Sequence, residues 1–354
     1  MTTAIEAQSN TEIKPLCPVF GECGGCQYQD IPYREELQRK EDALRNHFFQ
    51  ELNIKGNVFD PIVASPREYH YRNRIDLRLV KTKFDQIFIG FSPGSRRQVI
   101  PIEACPIALL AISSAIPEIK QQVAQTLPSR YRNANVVVRT GDDGRVRWGG
   151  IGRRSLTLDT ENYFWTEING KKTFYSLDTF FQANLSILPI VIAHIRSLPV
   201  FSESSVFFDL YGGVGFFGLN LADQFERVVL IEESVHSLKL ARYNIQQGQL
   251  SNIDIIEGKV EERLPACLQS LPQRNKVAMI DPPRGGLSSQ AREILCSAKG
   301  LNHLLYLSCH PETLVRDLKD FLSVHWEIRR IVPFDFFPRT KHIETLVVLK
   351  PISN

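Results

Sequence analysis

Apolar and polar residues are arranged differently in the two halves of the chain. From about residue 205, short apolar runs alternate with amphipathic stretches. Val206–Tyr211, Arg227–Glu233, Ile253–Glu257, Lys276–Ile280 and His303–Ser308 read as buried strands. Trp326–Phe337 and Thr345–Lys350 supply two more. Helical stretches fall between them. One runs from Leu219 to Phe225 after a glycine-rich turn, and one from a Ser234 cap to about Gly248. Another begins at Pro311, where a missing N–H does no harm. Cys267 and Cys296 fall in further helical stretches and are expected in the core. This alternation predicts an α/β fold with a doubly wound, largely parallel sheet. Ligands of such sheets sit at the C-terminal strand ends, near the switch in strand order.

Between about Phe59 and Phe174 the period changes to strict alternation, as in Arg74–Val80, Ile87–Phe91 and Asn135–Arg139. With Gly141-Asp-Asp-Gly144 as a hairpin turn, this predicts an antiparallel β domain. Tyr33–Phe49 reads as a charged amphipathic helix. A solvated helix with one apolar stripe accounts for it. Packing on the C-terminal domain is the alternative. The expected division is a disordered tail over 1–16, a β-rich domain over 17–175 and an α/β domain over 176–354.

Hydrophobic content of 43% and charged content of 23% belong to a soluble globular class. No apolar run approaches a membrane span, and the polar N-terminus lacks a signal core. A cytoplasmic protein is expected. The net charge of +3 permits a nucleic-acid partner without requiring one. Seven cysteines in such a chain point to metal binding or catalysis rather than disulfides.

Three features fall at strand C-termini. Asp209-Leu-Tyr-Gly-Gly-Val-Gly215 lets the backbone pass close to a ligand. Glu232, about 20 positions on, suits ribose hydroxyls or equally a helix start. In Asp281-Pro-Pro, the prolines hold the carboxylate at the strand end. Cys309 lies between a strand and a helix, where the helix dipole favours a thiolate nucleophile. A buried strand-end cysteine is the plainer alternative. Cys17, Cys23 and Cys26, with the remote Cys105, form a four-thiol set that suits an iron–sulfur cluster or zinc. Tyr69-His-Tyr-Arg-Asn-Arg74 interleaves rings and guanidinium groups able to stack bases and meet phosphates. Arg96 and Arg97 add a second basic loop. A solvated basic loop explains both equally well.

Five motifs in order carry a family resemblance: Phe181-Gln-Ala-Asn184, Asp209–Gly215, Asp281–Leu287, Ser308–Leu314 and Phe337–Thr345. The chain, from Cys17 to about Lys350, resembles the S-adenosylmethionine-dependent RNA uracil-C5 methyltransferases. The resemblance implies a Rossmann-like class I methyltransferase domain. It also implies Cys309 as nucleophile, Glu344 as base, and Gln182, Tyr211, Glu232 and Asp281 as cofactor- or substrate-contacting residues. By spacing alone, Glu344 reads equally as a strand-edge charge. Cys17, Cys23, Cys26 and Cys105 match ligands of a [4Fe–4S] cluster. Gly212, Phe216, His310 and Lys259 depart from common family residues.

The chemistry suits these side chains. Thiolate addition to carbon 6 of uracil makes carbon 5 nucleophilic, and a base then removes the carbon 5 proton. The uridine must be flipped out or single-stranded. Cluster-bearing members mostly modify large-subunit ribosomal RNA, so 23S rRNA is the expected partner, with tRNA the alternative. A non-catalytic iron–sulfur RNA-binding protein is the rival of another class. A monomer is expected, without the extra N-terminal β-barrel domain of some relatives.

Overall fold

The computed structural model describes residues 13–352, apart from 85, 94–98, 127–131, 152–161, 202–204 and 272–274. Arg96 and Arg97, and most of the expected 1–16 tail, lie outside the described residues.

The N-terminal half contains α1 (Tyr33–Leu52), β1 (Arg74–Lys81), β2 (Ile87–Phe91), β3 (Ile100–Pro101), α2 (Leu110–Thr126), β4 (Asn133–Arg139) and β5 (Arg147–Ile151). A separate hairpin follows, β6 (Phe164–Ile168) with β7 (Lys171–Tyr175). The first five strands form one antiparallel sheet, ordered β3-β2-β1-β4-β5. The Gly141–Gly144 turn closes as expected, with the Gly144 N–H donating to the Gly141 carbonyl. Helix α2 was not foreseen. Pro117 sits inside it, and an interior proline costs about 3 kcal/mol. Ile112, Ile116, Ile119 and Val123 recur at helical spacing and are buried with Ile75, Leu77 and Val136. Burying each such side chain contributes about 1.5–3 kcal/mol, so the packing outweighs the lost bond.

The C-terminal half comprises α3 (Leu188–Arg196), β8 (Val206–Leu210), α4 (Phe216–Leu221), β9 (Arg227–Glu232), α5 (Val235–Gln247), β10 (Ile253–Glu257) and α6 (Val260–Gln269). It continues with β11 (Lys276–Ile280), α7 (Ser289–Cys296), β12 (His303–Ser308), α8 (Pro311–Leu322), β13 (Trp326–Phe334) and β14 (Glu344–Pro351). The sheet order is β10-β9-β8-β11-β12-β14-β13. The first five of these strands are parallel, whereas β14 runs antiparallel to β12 and β13. The order switches between β8 and β11, which opens a crevice at their C-terminal ends. The helix after the glycine turn is shorter and earlier than the pattern suggested, and the strand from Trp326 stops at Phe334. Cys296 is buried, but Cys267 is only half-buried.

Of the two readings of α1, packing on the C-terminal half is the one found. Leu44 and Phe48 belong to the core that holds Phe321, Trp326 and Ile331. Glu36 and Lys40 are also buried, paired at 2.7 Å. Among the described residues no helix is long and apolar enough to cross a membrane.

Candidate active site

Strands β12 and β14 place Ser308 opposite Thr345. Just beyond this pair, Cys309 follows the C-terminal end of β12 and Glu344 opens β14, so the two come together at that end of the sheet. Glu344 is only 5% exposed, and its Oε2 has no hydrogen-bond partner. Burial, then the neighbouring Asp281 charge, raises its carboxyl well above the usual range, while Arg284 draws it down. Cys309 is half-buried. Burial first, then Glu344 and Asp281, pushes its thiol up to about 12, and the hydrogen-bonding Arg284 opposes them. This corrects the helix-terminus expectation. Cys309 does precede α8, but desolvation and two carboxyl groups outweigh the dipole, and the resting group is a thiol.

Asp281 follows β11, one strand away. Gln182 Nε2 donates to its Oδ2 at 2.9 Å. Burial raises Asp281 to about 7, and Gln182 moderates the rise. The loop that presents Gln182 is fastened by residues that no motif revealed. Arg139 ends β4 fully buried, and its Nη1 donates to the carbonyls of Ser176 and Thr179 at 2.6 and 2.7 Å. Asn73 donates from Nδ2 to the Gln182 carbonyl at 3.2 Å. The one sequence signal for Arg139 was a charge ending three consecutive valines.

The glycine turn lies at the end of β8. Tyr211 takes a left-handed φ of 59°, as do Gly213 at 55° and Gly215 at 89°. A Cβ on Gly212 would meet Leu230 Cγ at 2.6 Å, whereas one on Gly213 would meet nothing within 4 Å. Gly212 therefore serves packing and Gly213 faces open space. Asp209 Oδ2 accepts from the Gly218 N–H at 2.8 Å, and burial raises this carboxyl to about 8. Glu232 Oε2 accepts from the Gly213 N–H at 2.9 Å, and its Oε1 from the Ser234 N–H at 2.7 Å. It bridges the turn and the start of α5, which bears out the helix-start reading of this carboxylate. A pocket of about 610 Å³ opens here, lined by Tyr211, Gly213, Glu232, Lys259 and Asp281.

Cys17, Cys23, Cys26 and Cys105 line a second cavity of about 130 Å³, together with Arg72. Burial, then a hydrogen bond from Gln29 and the charges of the other three thiols, leaves Cys26 raised to about 12. The thiols ring this void rather than converging on a point. Among the described residues, no three His, Cys, Asp or Glu side chains are drawn together closely enough to hold a metal ion.

Within the aromatic–basic run, Tyr71 and Asn73 are buried, whereas Tyr69, His70, Arg72 and Arg74 stay half-exposed. Tyr71 is 1% exposed, and its hydroxyl donates to the Pro338 carbonyl at 2.9 Å. Asn73 is buried. Arg74 pairs with Asp76 at 2.8 Å, and Arg72 faces the cysteine cavity.

The chain superposes on the crystal structure of Pyrococcus abyssi tRNA (uracil-54, C5)-methyltransferase in complex with S-adenosyl-L-homocysteine. The TM-score is 0.73 with 23% identity, covering 94% of this chain and 86% of that one. The protein thus has the α/β methyltransferase fold. A family model described as tRNA (uracil-5-)-methyltransferase matches residues 151–352. The tRNA (uracil(54)-C(5))-methyltransferase of Schizosaccharomyces pombe is 30% identical over 98% of this chain and 67% of that protein. The 23S rRNA (uracil(747)-C(5))-methyltransferase of Pyrococcus abyssi is 29% identical over 94% and 85%. The chain belongs to the RNA uracil-C5 methyltransferase family.

Proposed function

We propose that the chain methylates carbon 5 of a uridine through a covalent bond between Cys309 and carbon 6, with S-adenosylmethionine as donor. The pocket suits that donor. Its wall carries Asp178, Glu232, Glu233, Glu261 and Asp281 against Lys259 and His236. This acidic balance complements a sulfonium and an ammonium group. Tyr211, Glu232 and Asp281 would hold it, with Gln182 fixing Asp281. Bound there, S-adenosylmethionine supplies an electrophilic methyl group.

Cys309 Sγ adds to carbon 6, and carbon 5 becomes the nucleophile. Arg284 stabilises the thiolate that adds. Once carbon 5 is methylated, Glu344 takes its proton and the thiolate leaves. The observation that carries this is the unpartnered, buried Oε2 of Glu344 beside Cys309. Such an orphan costs about 1–3 kcal/mol, which a merely structural carboxyl would avoid. Full-length Glu344→Gln with donor and uridine RNA tests it. A covalent protein–RNA species should accumulate on denaturing gels, and ordinary turnover by this variant would refute the role.

Large-subunit ribosomal RNA is the proposed substrate, supported by the name of the Pyrococcus abyssi relative. Transfer RNA is the second reading, favoured by the Schizosaccharomyces pombe relative. Mapping 5-methyluridine in both RNAs from a strain lacking the gene separates them. We also propose that Cys17, Cys23, Cys26 and Cys105 hold a [4Fe–4S] cluster. The shared cavity and the all-thiol donor set support this. The division into a cysteine-bearing, RNA-binding part over 17–175 and a methyltransferase part over 176–354 belongs to the same proposal. Helix α1, from the first part, packs on α8 and the β13 core of the second.

A further inference from the structure

The segment that leads into Glu344 is not held by its own sheet alone. Between β13 and Glu344 it is tied to the N-terminal part of the chain through Asp335, Phe337, Pro338, Arg339 and Lys341. Asp335 accepts from Tyr33 Oη and Lys40 Nζ, each at 2.7 Å. The Phe337 carbonyl accepts from Lys40 at 3.1 Å. Arg339 is the hub. Its carbonyl accepts from the backbone N–H groups of Gln27 and Tyr28 at 2.9 and 3.2 Å. Its own N–H donates to Glu36 at 2.7 Å. Its guanidinium donates to the carbonyls of Tyr28 and Ile31 at 3.1 and 2.8 Å, and pairs with Glu68. The Tyr69 ring lies 5.0 Å from the guanidinium carbon. Two residues on, the Lys341 N–H donates to Gln27 Oε1 at 3.0 Å. Gln27 directly follows Cys26.

Arg339 is also 5% exposed and has a φ of 67°. A left-handed conformation is unfavourable for a side chain of this size, and it persists where the surroundings over-determine it. Here the surroundings are the cysteine loop on one side and the approach to Glu344 on the other. Gln27, bonded to both Arg339 and Lys341, is the matching contact on the cysteine-loop side.

We propose that Arg339 is a positioning residue that fastens the cysteine loop to the segment carrying Glu344, and so fixes the carboxyl against carbon 5 of the uracil. The inference rests on Glu344 being the base. Disturbing the cysteine loop then impairs proton removal before it impairs RNA binding.

Full-length Arg339→Met keeps the aliphatic stem and removes every side-chain donor. Turnover should fall on the order of tenfold to a hundredfold, the effect of a small misplacement of a reacting group. RNA affinity should stay unchanged, and a covalent complex with ordinary uridine RNA should build up, as in Glu344→Gln. Arg339→Lys should recover only part of the turnover, because an ammonium cannot reach both carbonyls and Glu68 together. If Arg339→Met does not fold, Gln27→Ala decides, with the same build-up in weaker form. Wild-type turnover, or lost turnover without build-up, in the folded variant overturns the proposal. Build-up in Glu344→Gln alone overturns only the positioning role. Its absence in Glu344→Gln as well removes the base on which that role depends.

Discussion

Glu344 opposes the ionisation of Cys309, its neighbour across the β12–β14 pairing. A thiolate and an ionised carboxylate are therefore disfavoured together in the free site. In the proposed reaction, bond formation between sulfur and carbon 6 would remove the sulfur charge, after which Glu344 could ionise and act, so the electrostatics of the pair would favour the order nucleophile first, base second.

The pH dependence of addition follows. With the thiol raised to about 12, the reactive fraction grows about tenfold per pH unit through neutrality. Rapid-quench measurement of adduct formation should show that slope. Arg284→Gln should slow addition throughout, since it removes the group that favours the thiolate. Glu344→Gln should leave addition in place, since the carboxyl is neutral at that stage, while blocking release. A flat profile across neutral pH would count against an un-ionised resting thiol.

Asp281 should make donor binding sensitive to pH. Its carboxyl is raised to about 7, so it gains negative charge as pH rises through neutrality. Calorimetry should find S-adenosylmethionine, with its sulfonium, tightening relative to S-adenosylhomocysteine over that range. Asp281→Asn should flatten the ratio of the two affinities. An unchanged ratio in the wild-type protein would place Asp281 away from the sulfonium.

Asp209, buried behind the glycine turn, makes stability depend on pH. Burial raises it to about 8 from its ordinary 3.8, so the folded protein keeps a proton that the unfolded chain releases. Its contribution is fully present below the ordinary value and is lost as pH rises through about 8. Asp209→Asn can still accept from the Gly218 N–H. Thermal melting of the ligand-free variant should fall less steeply with rising pH than that of the wild type.

Much of this site was legible before the fold was known. Asp209, Glu232, Asp281 and Cys309 announced themselves because each ends an apolar strand, and strand ends are where such sheets bind ligands. Glu344 was ambiguous, since its role depends on the burial of one oxygen and on Cys309, which the β12–β14 pairing brings to it from far upstream in the sequence. Arg139, Asn73 and Arg339 were invisible for a related reason. Each works through carbonyl groups of segments distant in sequence, and such bonds leave no local pattern. Helix α2 was hidden by Pro117, a residue that usually ends helices. Tyr71 was misjudged because composition shows a ring but not whether it faces water.

The cysteine set has its own check. Anaerobically purified protein should contain iron and acid-labile sulfide, and Cys26→Ala should lose both. Zinc in their place would make the site a structural zinc centre.

The central claim is that Cys309 bonds to carbon 6 of an RNA uracil. RNA carrying 5-fluorouridine at the target position tests it most directly, because fluorine cannot leave as a proton does. With S-adenosylmethionine present, the wild-type protein should form a denaturant-stable complex whose RNA is attached to the Cys309 peptide by mass spectrometry, and Cys309→Ala should form none. A complex of equal yield in Cys309→Ala, or methylated RNA released without any adduct, would contradict the account.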